Sequence, residues 1–154
     1  MSTVLILGAS GMLGSAVLKE FSTFQGELIA TTRVGASLVA GSSVKFLKFD
    51  AAKDNLDSAF SMPIDYVINC IGIIKPYIND SDAKQTETAF EINGAFPNRL
   101  EAWATKRGAK VIQIATDCVF SGSKGKYLES DEHDALDVYG KSKSLGEAKG
   151  DSMM

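Results

Sequence analysis

Histidine is almost missing from this sequence. His133 is the only one, and it lies in the polar run Glu129-Ser130-Asp131-Glu132-His133-Asp134. A hydrolase built on a Ser-His-Asp relay would have to rest on that single loop residue, so that chemistry is set aside. Cysteine is nearly as scarce. Cys70 and Cys118 stand at the ends of expected strands and in no metal-ligand spacing, so both read as buried thiols and no metal site is expected. No apolar run is long enough to span a bilayer, and no charged-then-apolar leader opens the chain. A cytoplasmic protein without a membrane partner is the expectation. Nor is there a basic excess: 16 Lys and Arg against 19 Asp and Glu give a net charge of −3 and a pI near 5.2. The basic residues are scattered, which argues against a nucleic-acid surface.

The 154 residues, 45% of them hydrophobic, suffice for one compact core. Along them strands and helices alternate. Thr3-Val4-Leu5-Ile6-Leu7 is a continuous apolar run, as expected of a central parallel strand covered on both faces. From Met12 to Phe24, Leu13, Ala16, Val17, Phe21 and Phe24 recur at helical spacing. Two short β-rich runs follow, at 27–33 and 44–50, joined by a Gly/Ser-rich link. Further strands are expected at 65–70 and 110–116. Between these two lies a helical stretch at 84–106, interrupted by Pro97. The proline ring would clash with the carbonyl of Asn93 and leave it without its usual partner, so a kink is expected there. Right-handed crossovers then favour a doubly wound parallel sheet of Rossmann type, strand order 3-2-1-4-5, with ligands at the carboxyl ends of the strands.

Gly8-x-x-Gly11-x-x-Gly14 sits where such a sheet binds phosphates. Gly8 permits the turn after the first strand, Gly11 lets the backbone approach a pyrophosphate, and Gly14 lets helix and sheet pack closely. The second strand ends Thr31-Thr32-Arg33. A carboxylate at that point would hold the ribose hydroxyls of NAD, whereas a basic residue accommodates the 2′-phosphate of NADP, so NADP(H) is favoured over NAD(H). Asp50, closing the third strand, is either an acceptor for the adenine amino group or an ordinary loop aspartate.

Tyr139-Gly140-Lys141-Ser142-Lys143 places a phenol and an ammonium on one helix face. A free phenol has a pKa of about 10, so it relays protons poorly near neutrality unless a cation stabilises its phenolate. At ~4 Å and an effective dielectric constant of about 20, that attraction is roughly 4 kcal/mol before desolvation. The spacing alone is common on solvated helices. Its context, a buried strand ending in Thr116 and Asp117 and then the glycine-rich loop Ser121-Gly122-Ser123-Lys124-Gly125, gives it weight.

Taken together these residues resemble the extended short-chain dehydrogenase/reductase family. The matching motifs are Gly8-Ala9-Ser10-Gly11-Met12-Leu13-Gly14, Phe49-Asp50, Asn69-Cys70-Ile71-Gly72, Ile92-Asn93-Gly94, the run from Ala115 to Gly122, and the run from Tyr139 to Glu147. The last two look most like the dTDP-4-dehydrorhamnose reductase branch. Asp117-Cys118 replaces the Asp-Glu usual in dehydratase relatives, and Val119-Phe120-Ser121 does not reproduce the Val-Tyr-Gly of epimerase relatives.

The resemblance implies reduction of the C4 keto group of a nucleotide-linked 4-keto-6-deoxy sugar by NAD(P)H. Tyr139 would act as the acid, Lys143 as its tuner and Thr116 as partner of the carbonyl oxygen, with Thr116 and Asp117 toward the sugar. It also implies a cofactor held by Gly8, Gly11, Met12, Leu13, Gly14, Arg33, Asp50, Ala51, Cys70, Ile71, Gly72, Tyr139 and Lys143. Residues 1–149 would form the dinucleotide-binding domain and 150–154 a short tail. Typical members continue with another strand and a substrate-gripping region, so the likeness covers about the N-terminal half of one. A fragment of a reductase, inactive alone, and a dinucleotide-binding module kept for regulation or partner binding both remain open. Without the next strand, the fifth would be an unpaired edge inviting a homodimer.

Overall fold

A computed structural model describes residues 1–35, 43–147, 150 and 152–154. Its sheet is built from β1 (Thr3–Leu7), β2 (Glu27–Thr32), β3 (Lys45–Lys48), β4 (Tyr66–Asn69) and β5 (Lys110–Gln113). All pairs are parallel and the order is β3-β2-β1-β4-β5, as expected. The Gly/Ser-rich link between the second and third strands falls largely at 36–42, outside the described residues.

Every residue of β1 is buried because it is central and covered on both faces. Side chains alternate across a strand. Leu5 and Leu7 therefore join Ile29, Val67, Val111, Phe49, Phe60, Phe96, Leu100 and Trp103 on one face. Val4 and Ile6 join Leu28, Ala30, Ile68 and Leu18 on the other. The aromatic centre of the larger cluster is tight: Phe49 lies 5.0 Å from Phe60 and 5.9 Å from Phe96, centroid to centroid. Each such ring contributes about 1.5–3 kcal/mol on burial.

Helix α1 (Met12–Glu20) ends earlier than its apolar stripe suggests, passing into a 3₁₀ turn at Phe21–Thr23. A short α2 (Leu56–Ala59) follows β3, capped by Asn55, whose side chain accepts from the Ser58 N–H. The expected single kinked helix at 84–106 resolves into three parts. Helix α3 (Ala83–Ala89) starts at Asp82, whose carboxylate accepts the N–H groups of Lys84 and Gln85. A π-helical segment, Phe90–Ala95, then leads into α4 (Phe96–Arg107), with Pro97 in its first turn. The irregularity falls at Asn93 as Pro97 dictates, but its form is a π segment rather than a simple kink.

Two further corrections concern the last strand. β5 stops at Gln113, so Ile114, Ala115 and Thr116 lie beyond it and Cys118 sits in a 3₁₀ turn, Asp117–Val119. Cys118 is exposed and Cys70 only half-buried, so neither is the fully buried thiol expected. The outer edge of β5 is also not left unpaired. Val111 donates to the Ser152 carbonyl at 2.7 Å and accepts from the Met154 N–H at 2.8 Å, a parallel bridge formed by the last residues. Helix α5 (Val138–Leu145) packs against the π segment and the 117–119 turn. No helix among the described residues is long and apolar enough to cross a membrane.

Candidate cofactor cleft and active site

The carboxyl ends of the strands open on a cleft of about 410 Å³. At its centre Gly8 takes φ +77°, a conformation open to glycine at little cost. Its N–H donates to Thr31 Oγ1 at 3.1 Å, and its carbonyl accepts from the Gly11 N–H at 3.0 Å. A Cβ on Gly14 would run into the Gly8 carbonyl, so helix and strand meet as closely as the third glycine allows. Gly11 caps α1 without a side-chain acceptor. First-turn N–H groups of a helix so capped are left to an outside acceptor, which is how helix N-termini bind phosphate.

Of the expected cofactor residues, Gly8, Gly11, Arg33, Asp50, Ala51, Cys70, Ile71 and Gly72 line this one cleft. Met12 and Leu13 lie beside it, exposed, in the first turn of α1. Arg33 is exposed just past β2. The Asp50 carboxylate accepts from the Ala52 N–H at 3.1 Å and lies 3.7 Å from Lys53 Nζ, so it shapes its own turn while facing the cleft. Burial pushes the Cys70 thiol up to about 11, which keeps it protonated at neutral pH. Thr31, Phe49, Thr88 and Ile92 also line the cleft and were not among the expected cofactor residues.

Thr116, Tyr139 and Lys143 do not belong to that lining; Tyr139 and Lys143 stand on α5, and Thr116 at the start of the 117–119 turn packed against it. Thr116 Oγ1 accepts from the Cys118 N–H at 3.2 Å and so caps the 117–119 turn. That turn touches the Tyr139 helix through Gly140, where a Cβ would meet the Cys118 carbonyl. Asp117 is exposed, its carboxylate 3.6 Å from Cys118 Sγ. Lys143 is buried, and its ammonium donates to the Ile114 carbonyl at 2.6 Å. Desolvation holds its pKa below the usual lysine range, opposed by the carboxylate of Glu147. Asp137 caps α5 by accepting from the Gly140 N–H at 2.8 Å and pairs with Lys75 at 2.6 Å.

The loop 71–73 is tied to α5 by Asn93, which the sequence marked as a kink and as part of the Ile92-Asn93-Gly94 motif without giving it a role. Buried Asn93 accepts from the Ile73 N–H at 2.8 Å, donates to the Ile73 carbonyl at 2.9 Å, and reaches Ser142 Oγ at 3.2 Å. Ser142 in turn donates to the Tyr139 carbonyl at 2.8 Å. A polar side chain in the apolar stripe of a helix was the available signal. Beyond it, the segment before α5 is tied to itself and to that helix: Asp134 accepts from the Ser121 N–H and the Tyr127 hydroxyl, and His133 Nδ1 lies 2.8 Å from Ser144 Oγ of α5. Among the described residues no cluster of potential metal ligands occurs.

A five-stranded parallel sheet with a glycine-rich turn after its first strand and a Tyr-Lys helix is the architecture of the extended short-chain dehydrogenase/reductase family. The chain belongs to the RmlD substrate binding domain family, whose model matches residues 1–151, and it is dTDP-4-dehydrorhamnose reductase-like. It is 32% identical over 150 residues to the spore coat polysaccharide biosynthesis protein SpsK of Bacillus subtilis, covering 96% of this chain and 47% of that protein. It is 31% identical to methionine adenosyltransferase 2 subunit beta of Rattus norvegicus, covering 94% of this chain and 41% of that one. A solved structure of a hypothetical dTDP-4-dehydrorhamnose reductase from Sulfolobus tokodaii superposes with a TM-score of 0.78 at 29% identity, over 99% of this chain and 54% of its own. The chain thus spans about half the length of the curated relatives it matches.

Proposed function

We propose that this chain is the dinucleotide-binding half of an NAD(P)H-dependent reductase acting on the C4 keto group of a nucleotide-linked 4-keto-6-deoxy sugar. The observation that carries the reading is the pairing of the glycine-walled cleft with a buried Lys143 one helical turn from Tyr139. Residues that bare the backbone fit a pyrophosphate: Gly8 and Gly11 leave no side chain over the α1 N-terminus, and Gly14 seats that helix against Gly8. Arg33 would meet a 2′-phosphate at the cleft rim, Asp50 the adenine side, and Ile71 and Gly72 the inner wall. A bound nicotinamide supplies the hydride. Tyr139 gives its hydroxyl proton to the nascent alkoxide. Thr116 donates a hydrogen bond to the same oxygen as charge develops. Lys143 stabilises the phenolate left behind, and Asp117 orients the sugar. Likeness to a hypothetical dTDP-4-dehydrorhamnose reductase, over 99% of this chain and 54% of that one, favours the substrate class.

A second reading, a dinucleotide-binding module that serves a partner rather than turning over, is favoured by the likeness to a subunit of methionine adenosyltransferase. NADPH oxidation with a panel of nucleotide-linked 4-keto sugars separates the two. Sugar-dependent oxidation supports the reductase. NADPH binding without any sugar-dependent oxidation supports the module.

A further inference from the structure

Two side-chain amides join the cleft to Lys143 by a route separate from Asn93. The Ile71 N–H, behind the cleft wall, donates to Asn69 Oδ1 at 3.1 Å. Asn69, only 1% exposed, donates through Nδ2 to Gln113 Oε1 at 2.8 Å. Gln113 donates through Nε2 to the Ile114 carbonyl at 3.4 Å, the same oxygen that Lys143 Nζ reaches at 2.6 Å. The direction of this chain is fixed at both ends. It starts at a backbone N–H, which can only donate, and finishes at a carbonyl, which can only accept, so each amide has one orientation that satisfies its neighbours. Ile71 is itself pressed on the phosphate turn, its Cγ1 2.9 Å from where a Gly8 Cβ would stand.

We propose that Gln113 is a positioning residue: through the Ile71–Asn69–Gln113–Ile114 relay it sets where the Lys143 ammonium is held and couples that position to the wall of the cofactor cleft. Its value for catalysis rests on the reductase reading above; the positioning itself rests on the bonds just named. Gln113 is neutral and touches no reacting group in that reading, so it acts through the Ile114 carbonyl. Without the Gln113 brace the carbonyl loses one of its two donors and its fixed aim, while Lys143 stays in a desolvating pocket with Glu147 as its charged neighbour. A carboxylate at 113 would still accept from Asn69 but would bring negative charge to the Lys143 end of the relay.

The test is competitive reductive methylation of the ligand-free chain at fixed pH, read by peptide mass spectrometry, with exposed Lys141 on the same helix as internal standard. Relative to Lys141, Lys143 should be methylated about fivefold faster in Gln113→Met, the effect of one lost hydrogen bond, and slower than wild type in Gln113→Glu. Opposite shifts in two variants of similar size are not what general loosening produces. Unchanged ratios in both variants, or shifts of the same sign, would overturn the proposal. A parallel arm adds NADPH to the wild type and to Gln113→Met. Stronger slowing of Lys143 methylation in the wild type than in Gln113→Met supports the link to the cleft. Equal slowing in both, as direct contact with the cofactor gives, or binding without any change in Lys143, overturns that link. Failure of NADPH to bind overturns the reading of the cleft, while the ligand-free ratios still decide the role of Gln113.

Discussion

Asn93 holds the backbone of Ile73 from both sides, accepting its N–H at 2.8 Å and donating to its carbonyl at 2.9 Å. The arrangement imitates a strand pairing, with a side-chain amide standing in for a backbone one. It exists because the π segment turns Asn93 inward at the level of the 71–73 loop. Asn93→Asp keeps the acceptor but removes both donations and buries a charge. We expect it to cost about 2–4 kcal/mol of stability and to weaken NADPH binding through the loosened loop. Urea unfolding and fluorescence titration measure the two effects. A variant as stable as the wild type would show that the grip contributes little.

How much of this was legible beforehand depends on the range of the interaction. Strand order followed from alternation and from the glycine turn, because the crossover rule leaves few topologies for a chain whose first strand is buried on both faces. Gly8, Gly11 and Asp50 could be placed because strand ends in such sheets converge. The amide pair Asn69 and Gln113 could not, since it joins residues 44 apart in sequence and depends on the register of β4 against β5. The pairing of Ser152 and Met154 with Val111 was equally hidden. Nothing in Gly150-Asp151-Ser152-Met153-Met154 reads as a strand, and its contact is made by backbone groups. Cys118 was misjudged for the opposite reason. Its neighbours continue an apolar pattern, but β5 ends three residues before the expected end at 116, and the thiol, five residues past Gln113, emerges into solvent.

Arg33 sets the second expectation. It is exposed at the rim of the cleft, at the end of β2, where a carboxylate would have favoured the ribose hydroxyls of NAD. NADPH should bind more tightly than NADH, and Arg33→Ala should lose most of that preference. One charge-assisted contact to a phosphate is worth about 1.5–3 kcal/mol, or roughly tenfold or more in affinity. Titration of both cofactors against both proteins gives the answer. Equal affinities in the wild type would remove the argument for NADPH.

Asp137 makes the acid side of the stability profile predictable in sign. The Gly140 N–H, then the Lys75 ammonium, hold its carboxyl below the usual range near 4. The folded form is thus favoured wherever the carboxylate is ionised. That contribution is complete above the ordinary carboxylate pKa and is lost as the pH falls through the depressed value. Asp137→Asn retains an N-cap acceptor but has nothing to titrate. Melting temperatures taken from about pH 6 downward should fall less steeply for this variant than for the wild type. Parallel curves would mean that other carboxylates dominate.

Gly140 offers the most direct check on how α5 is seated. It lies between the Tyr139 and Lys143 positions, and a Cβ there would collide with the Cys118 carbonyl and stand 2.5 Å from the Ala135 Cβ. The nearest atoms, the Cys118 carbonyl oxygen and carbon and the Ala135 Cβ, are all backbone or a short side chain, which cannot swing aside. Elsewhere on a helix Gly→Ala would stabilise by up to about 1 kcal/mol; here the same change must push α5 off the 117–119 turn that Thr116 caps. We expect Gly140→Ala to destabilise by about 1–3 kcal/mol, the usual cost of overpacking. NADPH binding should change less than stability, because Gly140 is not among the residues lining the cleft. Chemical denaturation gives the first quantity and cofactor fluorescence the second. A stabilised Gly140→Ala protein would mean that α5 does not sit this close to Cys118, and with it the relative placement of Thr116 and Tyr139 would have to be redrawn.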